Sequence, residues 1–121
     1  MTQATALLQV DARRIHEDPP VTQLTLEGRF DAEGLPMVLG AIDEARREGS
    51  SRFVVDLEKV SFIGSAGIGI FLSLVEEMGN DGGGVVFSRV PESIRRIFEV
   101  LNVLEFLEIR DEQSEALELL T

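Results

Sequence analysis

The sequence contains no cysteine. That excludes a disulfide framework and a thiolate metal site, and it fits a reducing compartment. Histidine is nearly absent too. His16 is the only one, and it stands beside two prolines, so a Ser-His triad or a histidine-based metal centre lacks its parts. No apolar run approaches membrane-spanning length, and the opening MTQATALLQVDARR lacks the basic-then-apolar order of a signal peptide. The expectation is therefore a cytoplasmic chain without membrane insertion. Internal repeats, low-complexity segments and domain-dividing linkers are also lacking. Basic residues are scarce: 11 against 22 acidic side chains, a formal net charge of −11. Such a surface repels phosphate backbones and disfavours direct nucleic-acid binding, while it suits either a basic protein partner or simple solubility.

What remains is a chain of 121 residues, 44 % of them hydrophobic, enough for one globular core. Its periodicities alternate. Ala4–Ala12 reads as a strand, His16–Pro20 as a turn whose prolines forbid a central strand, and Val21–Leu26 as a half-buried strand. Leu35, Val38, Leu39, Ile42 and Ala45 make a helical stripe over residues 35–48, with Pro36 near its start and Gly49 at its stop. Phe53–Leu57 is a short apolar strand of the kind buried in a parallel sheet. A second helix spans residues 65–78, the turn Asn80–Gly84 leads into a strand at Val85–Phe87, and a third helix follows Pro91. Phe106–Ile109 reads as a last strand, and Asp111 as the cap of a final helix reaching Leu120. The predicted order is β-β-α-β-α-β-α-β-α. It implies a single α/β domain over residues 1–121, core about 5–120: a mixed, mostly parallel sheet with an N-terminal β-hairpin and about four α-helices.

Catalytic constellations are missing. Gly82-Gly83-Gly84 lacks the Lys-Ser/Thr of a phosphate-binding loop, and Gly64-Ser65-Ala66-Gly67-Ile68-Gly69 spaces its glycines wrongly for a dinucleotide fingerprint. The chain is expected to be no enzyme and to hold no metal. One feature stands out: a single hydroxyl, Ser65, on the glycine-rich turn that opens the second helix. It can cap a free backbone N–H. It can equally carry a phosphate, which a helix N-terminus accommodates. Asp31 poses the same pair of readings, as a turn or cap residue or as a neighbour of Ser65 on the edge where parallel strands end.

Taken together, LEGRFDAEGLP, VVDLEKVSFIGSAGIGIFLSL and VVFSRVPESIRRIFEVLNVLEFLEI resemble the STAS domain, specifically the bacterial anti-sigma-factor antagonist type. The resemblance implies partner switching. The unphosphorylated protein would bind a serine-kinase anti-sigma factor, phosphorylation at Ser65 would release it, and a PP2C-type phosphatase would reverse the step. ATP and metal would belong to those partners, and the chain itself would need no cofactor. Ser65 falls on the family's phosphoacceptor, and Asp31, Gly64, Ser65, Ala66 and Gly67 on its partner-binding segment. Two positions depart from the family pattern: Gly64 replaces an acidic residue, and Ala66 a second hydroxyl. Asn102 replaces a frequent glycine after the third helix and can take the same left-handed conformation. Similar domains also serve as structural subunits of lipid-transport ABC complexes or of stress-sensing scaffolds, and this is the alternative reading.

Overall fold

The computed structural model describes residues 8–121. Two antiparallel strands open it, β1 (Gln9–Glu17) and β2 (Pro20–Phe30). A single 3-10 turn, Ala32–Gly34, leads into α1 (Leu35–Arg47). There follow β3 (Arg52–Ile63), α2 (Ser65–Asn80), β4 (Gly84–Ser88), α3 (Glu92–Val100), β5 (Ile109–Arg110) and α4 (Gln113–Leu120). The strands lie in the order β1-β2-β3-β4-β5, and every pair after the hairpin is parallel. The α/β expectation and its element order therefore hold.

Two layers cover the sheet. Val38 and Ile42 of α1, Ile68, Phe71 and Leu74 of α2, and Ile94 and Phe98 of α3 share one core with Leu24, Leu26, Phe53, Val55 and Phe87 of the strands. Successive right-handed crossovers that step in one direction place their helices on one face. The rings of Phe30, Phe71 and Phe87 form an edge-on series, with centroids 5.5 and 4.9 Å apart. The opposite face is smaller: Val21, Val54 and Val86 are covered by Ala116 and Leu120 of α4.

Several boundaries differ from the sequence reading. The first strand runs later than expected, and Ala4–Leu7 lie outside the described residues. The turn shrinks to Asp18 and Pro19, because Glu17 pairs with Pro20 and His16 with Val21. Proline is tolerated there as the first residue of its strand. The lone histidine ties this hairpin: His16 Nδ1 donates to the Pro19 carbonyl, 2.9 Å away. β2 and β3 both extend well past the expected Leu26 and Leu57. The expected strand Phe106–Ile109 is mostly not one. Leu104–Phe106 forms a 3-10 turn with Phe106 exposed, and only Ile109–Arg110 pairs with β4. Asp111 does not cap the last helix. Glu112 does, in a reciprocal capping box with Glu115, two charged side chains at a helix start in place of one. Asn102 has φ 58°, as a left-handed helix stop requires.

β3 carries two extra residues. Between the pairs Val21–Arg52 and Phe30–Ile63, β2 advances nine residues while β3 advances eleven, with register shifts at Thr25/Glu27 and Gly28/Arg29. The buried positions Leu57, Val60 and Ile63 accordingly fall every third residue, and Glu58, Lys59 and Ser61 stay exposed.

The glycines of α2 do different work. A Cβ on Gly67 would lie 2.9 Å from the Phe30 ring and 3.0 Å from Ile63 Cγ1, whereas one on Gly69 would meet nothing within 4 Å. Gly67→Ala is therefore expected to destabilise by about 1–3 kcal/mol through overpacking. Gly69→Ala, in an exposed helix interior, should stabilise by about 0.5–1 kcal/mol. Paired urea-unfolding curves check both, and equal midpoints for the two variants would contradict the packing.

Candidate functional site

The parallel pairing of β2 with β3 builds the site. Phe30 lies opposite Ile63, so the residues that follow the two strands, Asp31 and Gly64, emerge together at the C-terminal edge of the sheet. They are tied at once, as the Gly64 N–H donates to the Phe30 carbonyl at 2.8 Å. An ideal Cβ on Gly64 would be 3.9 Å from Asp31 Cα. Two segments separated by a whole helix thus meet backbone to backbone.

Ser65 is the first residue of α2 and is exposed, while its neighbours Ile63 and Ile68 are buried. The N-cap is Gly64, which has no side chain to offer. That settles one reading from the sequence: Ser65 stands one position too late to cap the helix. The first intrahelical bond runs from the Ile68 N–H to the Gly64 carbonyl at 3.1 Å. The N–H groups of Ser65, Ala66 and Gly67 precede it and share the positive end of the helix. No acidic residue lies in this first turn. The turn therefore presents an accessible hydroxyl against unneutralised backbone donors. One turn further along, exposed Gly69 and Ser73 keep the outer surface of α2 low.

Asp31 does cap. Its backbone is extended, and its Oδ1 accepts from the Glu33 N–H at 3.2 Å, starting the 3-10 turn that precedes α1. Asp31 is half-buried, and so are Gly64 and Ala66. Gly67 is buried beneath the turn against Phe30. Of the five segment positions named from the sequence, four reach the surface and Gly67 supports them from below. Space does not enforce glycine at position 64, since a Cβ there finds only ordinary contacts, the nearest with Phe62 at 3.6 Å.

Two constellations escaped the sequence reading. Arg29, exposed on the strand leading to Asp31, stands over the Phe62 ring at 4.3 Å from its centroid. On the α4 side of the sheet, Asp56 is 2 % exposed and pairs with Arg89, which also meets Glu58 at 3.3 Å. The bond to Asp56 and its charge raise the Arg89 guanidinium above its usual range. The only sequence signal for either was a charged residue inside an apolar strand pattern. Among the described residues, no group of three or more His, Cys, Asp or Glu side chains gathers as a metal site, and no helix is long and apolar enough to cross a membrane.

Comparison with known proteins agrees with this architecture. The anti-sigma-B factor antagonist of Staphylococcus aureus is 21 % identical over 89 residues, covering 74 % of this chain and 82 % of that one. The crystal structure of an anti-sigma factor antagonist from Mycobacterium paratuberculosis superposes with a TM-score of 0.80 at 21 % identity, covering 98 % of each chain. Unphosphorylated SpoIIAA, an anti-sigma factor antagonist, gives a TM-score of 0.75 at 16 % identity, covering 91 % of this chain and 94 % of that one. The STAS domain model matches residues 12–116. With most of its length matched, this chain belongs to the STAS domain family.

Proposed function

We propose that the chain is an anti-sigma-factor antagonist that works by partner switching, with Ser65 as the phosphoacceptor. The observation that carries this reading is the exposed Ser65 hydroxyl at the start of α2, next to Asp31 on the same sheet edge. In the unmodified state the partner, a serine-kinase anti-sigma factor, encloses the turn formed by Asp31, Gly64, Ser65 and Ala66. In the kinase complex the Ser65 oxygen attacks the γ-phosphorus of ATP bound to that partner. The new bond to Ser65 forms as the bond to ADP breaks, and the hydroxyl proton passes to a base of the kinase. Hydrolysis by a PP2C-type phosphatase, with its own metal ions, returns the hydroxyl. The chain is then a substrate and a ligand, not an enzyme, acting in the cytoplasm.

Charge explains the release. Phosphorylation adds roughly 1.5 to 2 negative charges where a neutral hydroxyl stood. In the free protein the N–H groups of the first α2 turn face that charge, so the fold tolerates it. In the complex, the dianion must lose water in a surface fitted to a hydroxyl, and a penalty of about 3 kcal/mol weakens binding roughly a hundredfold. Support by analogy comes from SpoIIAA of Bacillus, a structural relative also known in a phosphorylated form, with a TM-score of 0.70.

Incubation with the candidate kinase and ATP, followed by mass-spectrometric mapping, should place phosphate on Ser65. Ser65→Ala should bind the kinase yet resist phosphorylation, and Ser65→Glu should bind weakly. Phosphate on another residue, or phosphorylated protein that binds as tightly as unmodified protein, would overturn the mechanism. Capture of a transporter ATPase or a scaffold instead of a kinase would favour a structural STAS subunit.

Asp31 allows a sharper test because it also caps. Asp31→Ala should cost about 1 kcal/mol of stability as well as affinity, since it removes the cap. Asp31→Asn keeps a side chain that caps as well and removes only the charge. It should unfold at nearly the wild-type temperature while binding the kinase more weakly. Thermal melts beside calorimetric titration separate the two effects, and unchanged affinity in Asp31→Asn would confine Asp31 to capping.

A further inference from the structure

The second register shift between β2 and β3 lies immediately before the functional edge. Gly28 has φ 108°, and across from it β3 inserts Ser61 as an extra residue. With uninterrupted alternation Phe62 would share the buried side of Val60. The insertion instead turns Phe62 outward, opposite Arg29, and returns Ile63 to the core. Bulges of this kind re-aim side chains and concentrate near functional sites. Here the result is a guanidinium resting on an aromatic ring whose edge borders the Gly64 turn: Phe62 Cε2 is 3.6 Å from the position a Gly64 Cβ would take.

Arg29 is also unspent. Arg14, Arg46, Arg89 and Arg110 each pair with a carboxylate, whereas Arg29, like Arg13, Arg47, Arg52, Arg95 and Arg96, makes no ion pair among the described residues; of these only Arg29 rests on an aromatic ring. The nearest acid along its strand on the same face, Glu27, has Lys59 opposite it in register. Gly64 supplies no carboxylate of its own. A cation held on a ring has lost part of its freedom before any partner arrives, so less is lost on binding. Its planar fork of donors matches a carboxylate. In a chain of net charge −11, this is a cation held on a ring beside the acceptor turn, while the Asp31 carboxylate two residues on is engaged in capping its own turn.

Resting on the partner-switching reading, we propose that Arg29 on its Phe62 platform is a specificity contact that receives a carboxylate of the anti-sigma kinase. It extends the interface from the Ser65 turn onto the sheet face away from α1, α2 and α3. Phosphoserine is the less suitable counter-ion, because Ser65 begins α2 on the helix-covered side, where backbone N–H groups already face it.

The test titrates each purified serine-kinase anti-sigma factor of the same organism with wild-type, Arg29→Lys and Arg29→Glu protein. Arg29→Glu should weaken binding about a hundredfold, as expected for reversing a desolvated charge contact. Arg29→Lys, which keeps charge but not the fork, should lose about tenfold. Melting temperatures should stay at the wild-type value because the side chain is exposed. Reversal of one acidic residue to arginine on the kinase surface should restore binding of Arg29→Glu. Binding of Arg29→Glu at wild-type affinity, or the failure of every such reversal, would overturn this assignment. So would an effect confined to the lifetime of phosphorylated Ser65. If wild-type protein binds none of the kinases, the parent reading falls instead, and Arg29 with it.

Discussion

Everything at the functional edge depends on how closely the first turn of α2 sits on Phe30. That ring is fully buried and packs against the place where a Gly67 side chain would be, the Phe71 ring, and Gly34 in the turn that follows Asp31. Because Gly67 has no Cβ, the helix start descends onto the ring, and the ring in turn fixes the end of β2. Ser65 and Asp31 are therefore held by this packing together with the parallel ladder and the backbone bond from Gly64 to Phe30, not by a bond between their side chains. Tight interiors transmit small displacements instead of absorbing them. Gly67 thus bears on the geometry of the site from beneath its surface.

Much of this was legible in the sequence because the apolar periods are regular where the elements are regular. The stripes of α1 and α2 placed those helices to within a few residues, and the three glycines after Phe62 marked the turn. The missed stretches share a physical cause. β3 was expected to end at Leu57 because its apolar run stops at Glu58-Lys59; one extra residue falls just there, at Leu57/Glu58, and the other at Ser61. A bulge is an interruption of period, so a period-based reading stops at it. Asp56 was read as part of an apolar run, and its partner Arg89 lies a crossover away with φ 52°. Sequence spacing gives no hint of such a pair. The cap at Glu112 was missed for a different reason: a glutamate caps less often than the aspartate before it, and only the reciprocal contact with Glu115 selects it.

The chain's electrostatics divide by place. Acidic side chains dominate the surface overall, while the edge that carries Ser65 has a helix start without acids, one capping carboxylate and one ring-held cation. The general field can favour encounter with a basic partner. On the proposed function, discrimination among partners would fall to the few groups at this edge, where a mismatch in a desolvated contact is costly.

The pairing of Phe30 with Ile63 has one more consequence. Asp31 and Ser65 are 34 positions apart in the chain, and only the parallel ladder sets them side by side. A modifying enzyme that requires both is reading tertiary structure, not a linear peptide around the serine. Nascent, unfolded or proteolysed chains would carry the same hydroxyl and yet be invisible to it. The charge at residue 65 would then record two facts at once: that the signal arrived, and that the molecule receiving it had already folded.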